Sequence, residues 1–176
     1  MAESRNILMI IEGCRKNQRA DQKALYDVFC NAMFSTVYRI LNNRDDAHDV
    51  LQEAFVEVFK HINDFRGDSG IGSWIKRIAV RKALKKLKGL KLFENYEENG
   101  SEIPLDFLDD LSGQYLEQLI LALPAGFRTV FLLVEVEGYS HKEVATMLSI
   151  SEGTSKSQLS RAKKTLRKQV EKINAI

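Results

Sequence analysis

Tyr139-Ser-His-Lys-Glu-Val-Ala-Thr-Met-Leu-Ser-Ile-Ser-Glu-Gly-Thr-Ser-Lys-Ser-Gln-Leu-Ser-Arg-Ala-Lys-Lys-Thr-Leu-Arg-Lys168 reads as two helices joined by a tight turn. Ser140 with Glu143 has the spacing of a capping box, in which the two side chains supply partners for the free N–H groups that open a helix. Val144, Ala145 and Leu148 give that helix one apolar face. Ser149-Ile150-Ser151 breaks it; Ile150 is placed to plug the angle between the helices and Ser151 to cap the second. On the second helix Leu159, Ala162, Leu166 and Val170 share one side, while Lys156, Arg161, Lys163, Lys164, Arg167 and Lys168 lie elsewhere. A short helix, a three-residue turn and a cationic second helix form the geometry that inserts into a DNA major groove. A surface hairpin with a solvated basic face is the plainer alternative.

Working outward, 176 residues suffice for one domain or two small ones. The formal net charge of +2 says little about partners; its distribution says more. From Gly70 to Phe93 there is no acidic residue, and from Leu92 to Phe127 no basic one. Glu94, Glu97, Glu98, Glu102, Asp106, Asp109 and Asp110 crowd the first half of the second span. Two cationic blocks separated by an acidic connector point to two polyanion-binding units on a tether. Cys14 and Cys30 form no CxxC pair, and His48, His61 and His141 have no metal-ligand spacing relative to them. Two reduced thiols in a cytoplasmic protein are expected, with no metal and no cofactor. The apolar run Ile7-Leu-Met-Ile-Ile11 is too short, and wrongly flanked, for a signal peptide or a membrane span.

The expected fold is all-α: two small helical domains joined by a flexible acidic linker. Leu25, Phe29, Met33, Val37, Ile40 and Leu41 recur at helical spacing between Asp21 and about Asn42. After a turn, Asp45 or Asp46 is expected to cap a helix reaching about Ile62, with Ala47, Val50, Leu51, Ala54, Val58 and Ile62 as its core stripe. Asp64 to Ser73 holds three glycines and reads as a loop. A helix from about Trp74 to Lys88 follows. The boundary falls in the acidic segment, giving domains over 1–90 and 112–176 and a linker over 91–111. The second domain opens on a stripe of Tyr115, Leu116, Leu119, Ile120 and Leu123, closed by Pro124. Arg128 to Glu137 is rich enough in β-branched residues to suit a strand, but a lone strand has nothing to pair with. It is therefore expected to be a buried helix ending at Gly138.

Two further stretches carry functional signals. Arg77, Arg81, Lys85 and Lys88 stack on one face of the helix after Trp74, with Ile75, Ala79, Ala83 and Leu87 on the other. No acid interleaves to make the usual i,i+4 pairs. The single tryptophan stands at the helix start, just after the glycine-rich loop. An aromatic beside cations suits single-stranded nucleic acid, by stacking bases and neutralising phosphates; a plain core anchor with a solvated lysine face is the alternative. On the preceding helix Phe55, Val56 and Phe59 remain apolar after the core stripe is assigned. Asp46, Asp49, Glu53 and Glu57 give it an anionic face, which suits a protein partner with basic residues. An ordinary buried helix with surface acids is again the alternative. No catalytic constellation is visible, so an enzyme is not expected.

The order of Tyr38-Arg-Ile-Leu, Asp45-Asp-Ala-His-Asp-Val-Leu-Gln-Glu-Ala-Phe, Phe65-Arg-Gly-Asp-Ser, Ser73-Trp-Ile-Lys-Arg-Ile-Ala, Leu123-Pro-Ala-Gly-Phe-Arg-Thr-Val-Phe and Gly153-Thr-Ser-Lys-Ser-Gln-Leu-Ser-Arg-Ala resembles the extracytoplasmic-function group of the sigma-70 family. The resemblance covers nearly the whole chain. It implies an RNA polymerase initiation factor with regions 2 and 4 alone. By this resemblance Asp45, Asp46, Asp49, Gln52, Glu53, Phe55 and Val56 would bind the clamp of the polymerase largest subunit, with the flap as a further contact. Phe65, Ser73, Trp74, Lys76, Arg77, Arg81, Lys82 and Lys85 would open the −10 element and hold its unstacked bases. Thr154, Ser155, Lys156, Ser157, Gln158, Ser160, Arg161 and Lys164 would read the −35 element as duplex. The linker would thread the RNA exit path, and an anti-sigma factor is an expected partner. Arg81 stands where the family often has Asn, Lys85 where an acid or amide is common, and Ser155 and Gln158 where Val and Arg are frequent. A dimeric helix-turn-helix regulator working without polymerase is the alternative; against it, the first ninety residues hold no ligand-pocket or receiver-domain pattern. An adaptor that binds polymerase without DNA is a third reading, and the two basic blocks argue against it.

Overall fold

The computed structural model describes residues 2–89 and 113–174, and every regular element among them is helical. The chain divides into two compact units, Met1–Lys86 and Leu87–Ile176. The linker expected over 91–111 lies outside the described residues.

The first unit begins with α1 (Ala2–Arg15), an element the sequence pattern left unassigned. The run Ile7–Ile11 has no clean helical period, and only part of it turns inward. Ile10, Ile11 and Cys14 are buried, whereas Leu8 and Met9 are 62% and 70% exposed. Asn17 takes a left-handed conformation that reverses the chain into α2 (Arg19–Leu41). Leu25, Met33, Val37, Ile40 and Leu41 are buried along α2, as their spacing requires. Asn42, also left-handed, ends it. The next helix, α3 (Arg44–Lys60), is capped by neither expected aspartate. The Asn43 side chain accepts the Asp46 N–H at 3.0 Å. Asn43 sits two residues before the first of them and has the extended backbone that a cap needs, which leaves both aspartates in the first turn, where the helix dipole favours them. All six residues of the expected core stripe are buried.

A 3₁₀ turn over Ile62–Asp64 follows, and then a loop in which Gly67 has φ +83°, a conformation in which a Cβ would crowd the adjacent backbone. Helix α4 (Ile71–Gly89) starts three residues before Trp74, because Ser73 and Trp74 already donate to the Gly70 carbonyl. Ile75, Ala79, Val80, Ala83 and Leu84 are its buried face.

The second unit contains α5 (Gly113–Leu121), α6 (Ala125–Phe131), α7 (His141–Leu148) and α8 (Glu152–Asn174). Pro124 separates α5 from α6. The Arg128 guanidinium is buried and donates to the carbonyls of Leu121 and Leu123, groups that the end of α5 leaves without helical partners. The segment that also suited a strand is helical. After α6 it widens into a π turn over Leu132–Val136 and ends before Gly138, whose φ is +77°. Leu119, Leu123, Val130, Leu133, Val144, Leu159, Ala162 and Leu166 form the core around α8.

Candidate nucleic-acid interface

Helices α7 and α8 make the turn that the opening stretch implies. Ser140 accepts the Glu143 N–H, and Glu143 returns to the Ser140 N–H at 2.8 Å, completing the capping box. The Ser140 hydrogen bonds hold the Glu143 carboxyl below its ordinary value. Ser149 ends α7 in the left-handed region, and the Ile150 N–H reaches back to the Ala145 carbonyl. Ser151 caps α8 by accepting the Thr154 N–H at 2.9 Å. Lys156, Ser157, Ser160, Arg161 and Lys164 are exposed on α8. Lys156 also pairs with Glu152 one turn earlier, which lowers the Glu152 pKa. Thr154 is half-buried and bonded to Ser151.

Two of the α8 residues expected to meet DNA face inward instead. Ser155 is fully buried, and its hydroxyl shares a 2.8 Å hydrogen bond with His141 Nδ1, tying the first turn of α8 to the first turn of α7. Gln158 is 1% exposed, and neither its Oε1 nor its Nε2 has a partner. Both lie on the same side of α8 as Leu159, Ala162 and Leu166, so helical periodicity turns them toward the core.

Along α4, Arg77, Arg81, Lys85 and Lys88 are exposed. Ser73 is exposed, and Lys76 is half-buried. Trp74 is half-buried with its ring 5.6 Å from that of Phe65. Phe65 itself is buried, so it supports Trp74 rather than standing free for a base. Arg77 donates to Ser69 Oγ at 3.1 Å and fastens the loop to the helix.

Lys82 does not join the cationic face. It pairs with Glu57 of α3 at 2.6 Å and lies 4.0 Å from Glu53, while Lys86 pairs with Asp46 at 2.8 Å. The Lys82 hydrogen bond holds the Glu57 carboxyl below its ordinary value, and the same bond raises Lys82. Asp46 likewise raises Lys86. The i,i+4 spacing within one helix does not reveal these pairs, because the partners lie on the neighbouring helix. Asp45, Asp49 and Gln52 remain exposed, with Val56 at 53% beside them. Asp49, Gln52, Glu53 and Val56 line one side of an open groove, and Lys82, Lys85 and Lys86 the other. Phe55, expected to be a contact residue, is buried with its ring edge-on to Tyr26 at 4.7 Å. Its apolar surplus is spent on α2.

Cys14 and Cys30 are free thiols. Burial, with Asp21 nearby, pushes the Cys14 thiol up to about 11, which keeps it protonated and inert at neutral pH. Among the described residues no helix is long and apolar enough to cross a membrane.

These two helical units correspond to two known modules. The model of sigma-70 region 2 matches residues 25–92, and that of sigma-70 region 4 matches 113–166. The extracytoplasmic-function sigma factor SigW of Bacillus subtilis is 27% identical over 93% of this chain and 97% of its own length. The sigma-E factor of Escherichia coli is 29% identical over 89% of this chain and 91% of its own. The chain belongs to the extracytoplasmic-function group of the sigma-70 family. The RNA polymerase sigma-H factor of Pseudomonas aeruginosa, at 28% identity over 89% of this chain and 91% of its own length, is another relative. Two solved structures share the fold. RpoE in complex with the anti-sigma factor NepR, from Bartonella quintana, has a TM-score of 0.54 at 20% identity, over 86% of this chain and 97% of its own. CnrH, in complex with the cytosolic domain of CnrY, has a TM-score of 0.52 at 19% identity, over 93% and 96%. In this frame α2 to α4 belong to region 2 and α5 to α8 to region 4, while α1 precedes the region 2 match.

Proposed function

We propose that this protein is an RNA polymerase sigma factor that binds core enzyme, directs it to specific promoters and helps open the DNA. The observation that carries the reading is the succession of region 2 and region 4 along one chain, each with an exposed cationic helix face. Residues 1–90 form the unit that binds core and the −10 element, 91–111 the linker, and 112–176 the unit that reads the −35 element. On α8, Lys156, Ser157, Ser160, Arg161 and Lys164 face the major groove, where a capped helix with short polar and cationic side chains fits. Ser155 acts from behind that face by tying α8 to α7 through His141. On α4, Trp74 with Arg77, Arg81 and Lys85 receives unstacked bases and their phosphates. The protein acts in the cytoplasm, where RNA polymerase works, and has no catalytic role of its own. A partner of the anti-sigma class is supported by the RpoE complex.

Core binding belongs to the exposed part of α3. Asp49, Gln52 and Val56 combine charge, hydrogen bonding and apolar surface without an internal partner for the Asp49 carboxylate in the α3–α4 ion pairs. Glu53 is a poorer test site, because reversing it sets a cation beside Lys82. Asp49→Lys is expected to weaken association with core polymerase by roughly tenfold or more while leaving helicity unchanged. Association by gel filtration equal to that of the wild type would overturn this assignment of the core surface.

A further inference from the structure

Arg15, at the end of α1, lies outside the region 2 match, which begins at residue 25. Its Nη2 donates to the Phe65 carbonyl at 2.8 Å, fifty residues along the chain, and its Nη1 pairs with Glu12 at 2.6 Å. Its Nε is buried without a partner. Desolvating that donor costs free energy that an arginine swinging freely in water avoids; the two Nη bonds offset it. The Phe65 carbonyl opens the loop that leads into α4. The Phe65 ring is buried against Trp74, and the far end of the loop is fastened by the Arg77 bond to Ser69. Between the two anchors Arg66, Gly67 and Asp68 are exposed. The loop is thus a short arch, pinned at one end from α1 and at the other from α4.

We propose that Arg15 is a positioning residue for promoter opening: by holding the Phe65 carbonyl, it sets the arch and the Trp74 ring in the shape that receives an unstacked base. The proposal rests on the reading of this loop and Trp74 as the −10 strand site. A preformed site spares the ordering cost that a slack loop incurs on binding. Arg15 does this from behind the arch, without touching DNA.

Trp74 is the only tryptophan, so its emission in the full-length free protein reports the arch directly. The functional readout is capture of a single-stranded −10 oligonucleotide by holoenzyme reconstituted with core. Arg15→Ala is expected to raise acrylamide quenching of Trp74 and to weaken capture by roughly tenfold, the scale of one hydrogen bond from a charged donor. Core association and the salt dependence of capture should stay as in the wild type. Arg15→Lys, which keeps the charge and a donor, should recover part of both readouts. If Arg15→Ala loses helicity, Arg15→Gln carries the same test with a neutral donor. Unchanged capture in Arg15→Ala, whatever the quenching, overturns the proposal. So does a reduced salt slope, which would mean that Arg15 meets a phosphate. Trp74→Ala locates the failure. If it too leaves capture unchanged, the loop reading is wrong; if it alone abolishes capture, the loop reading stands and the role of Arg15 does not.

Discussion

Gln158 shows how much a single side chain's direction decides. Its amide sits inside the region 4 unit with both polar atoms unpaired, and a buried amide in that state costs about 1–3 kcal/mol. Methionine has nearly the same volume and no amide. Gln158→Met is therefore expected to raise unfolding stability by about 1 kcal/mol or more and to leave promoter preference alone. Urea denaturation and a promoter competition assay check the two halves. A loss of stability would show that the amide has a partner in solution, and a changed preference would return Gln158 to the groove. Position in the motif made Gln158 and Ser155 look like readers of DNA. The neighbouring Leu159, Ala162 and Leu166 define the buried stripe; Ser155 lies in its middle and Gln158 at its edge, so helical periodicity counted back from these three already turned Ser155 inward, while Gln158 at the edge could turn either way. Phe55 and Phe65 misled for a related reason. Phe55, a surplus apolar residue, looks like a docking surface until Tyr26 is found against it; Phe65, expected at the −10 strand from the resemblance, packs on Trp74 instead.

At the scale of helices, the pairing of α3 with α4 has a pH signature. Lys82 holds the Glu57 carboxyl below its ordinary value of 4.5. The unfolded chain therefore binds that proton first as pH falls, and the stability contributed by Glu57 is complete above about 4.5 and lost as pH drops through the depressed value. Glu57→Gln should lower the denaturant midpoint at neutral pH, with the gap closing in acid. A gap that stays constant across the titration would mean that Glu57 acts through packing rather than charge. These ion pairs also separate the lysines of α4 by role, since Lys82 and Lys86 serve α3 while Arg77, Arg81 and Lys85 face outward. The buried stripes of α2, α3 and α4 were legible from periodicity, because a helix that must bury one face repeats its apolar residues. Helix α1 was not, since its apolar run points partly to solvent, and neither was the α3–α4 pairing, which depends on two helices lying side by side.

The two cationic helices should fail differently when altered. Arg161→Ala on α8 is expected to weaken promoter recruitment, by about 1–3 kcal/mol if it reads a base edge. Trp74→Ala or Arg77→Ala on α4 should spare recruitment and impair strand opening. Permanganate reactivity of unpaired thymines, on a duplex and on a pre-melted bubble, separates them. The bubble should rescue the α4 variants and not Arg161→Ala. Equal rescue of both classes, or of neither, would contradict the division of labour.

For the whole molecule, promoter binding is expected to be a property of the holoenzyme. Each unit alone is expected to meet few phosphates, and each phosphate contact adds a limited, salt-sensitive increment. Polymerase that holds both units supplies the second contact at high effective concentration. The overall architecture, two helical units separated by an acidic segment, was legible from the charge blocks and the capped turn. The polymerase partner was not legible from any one residue, and came from the order of motifs over the whole chain. The most direct test titrates one promoter duplex with the free protein and with the holoenzyme, at several salt concentrations. Weak, strongly salt-dependent binding by the free chain is expected, and much tighter, promoter-selective binding once core is present. Equal affinity with and without core would contradict it and point instead to a regulator that works without polymerase.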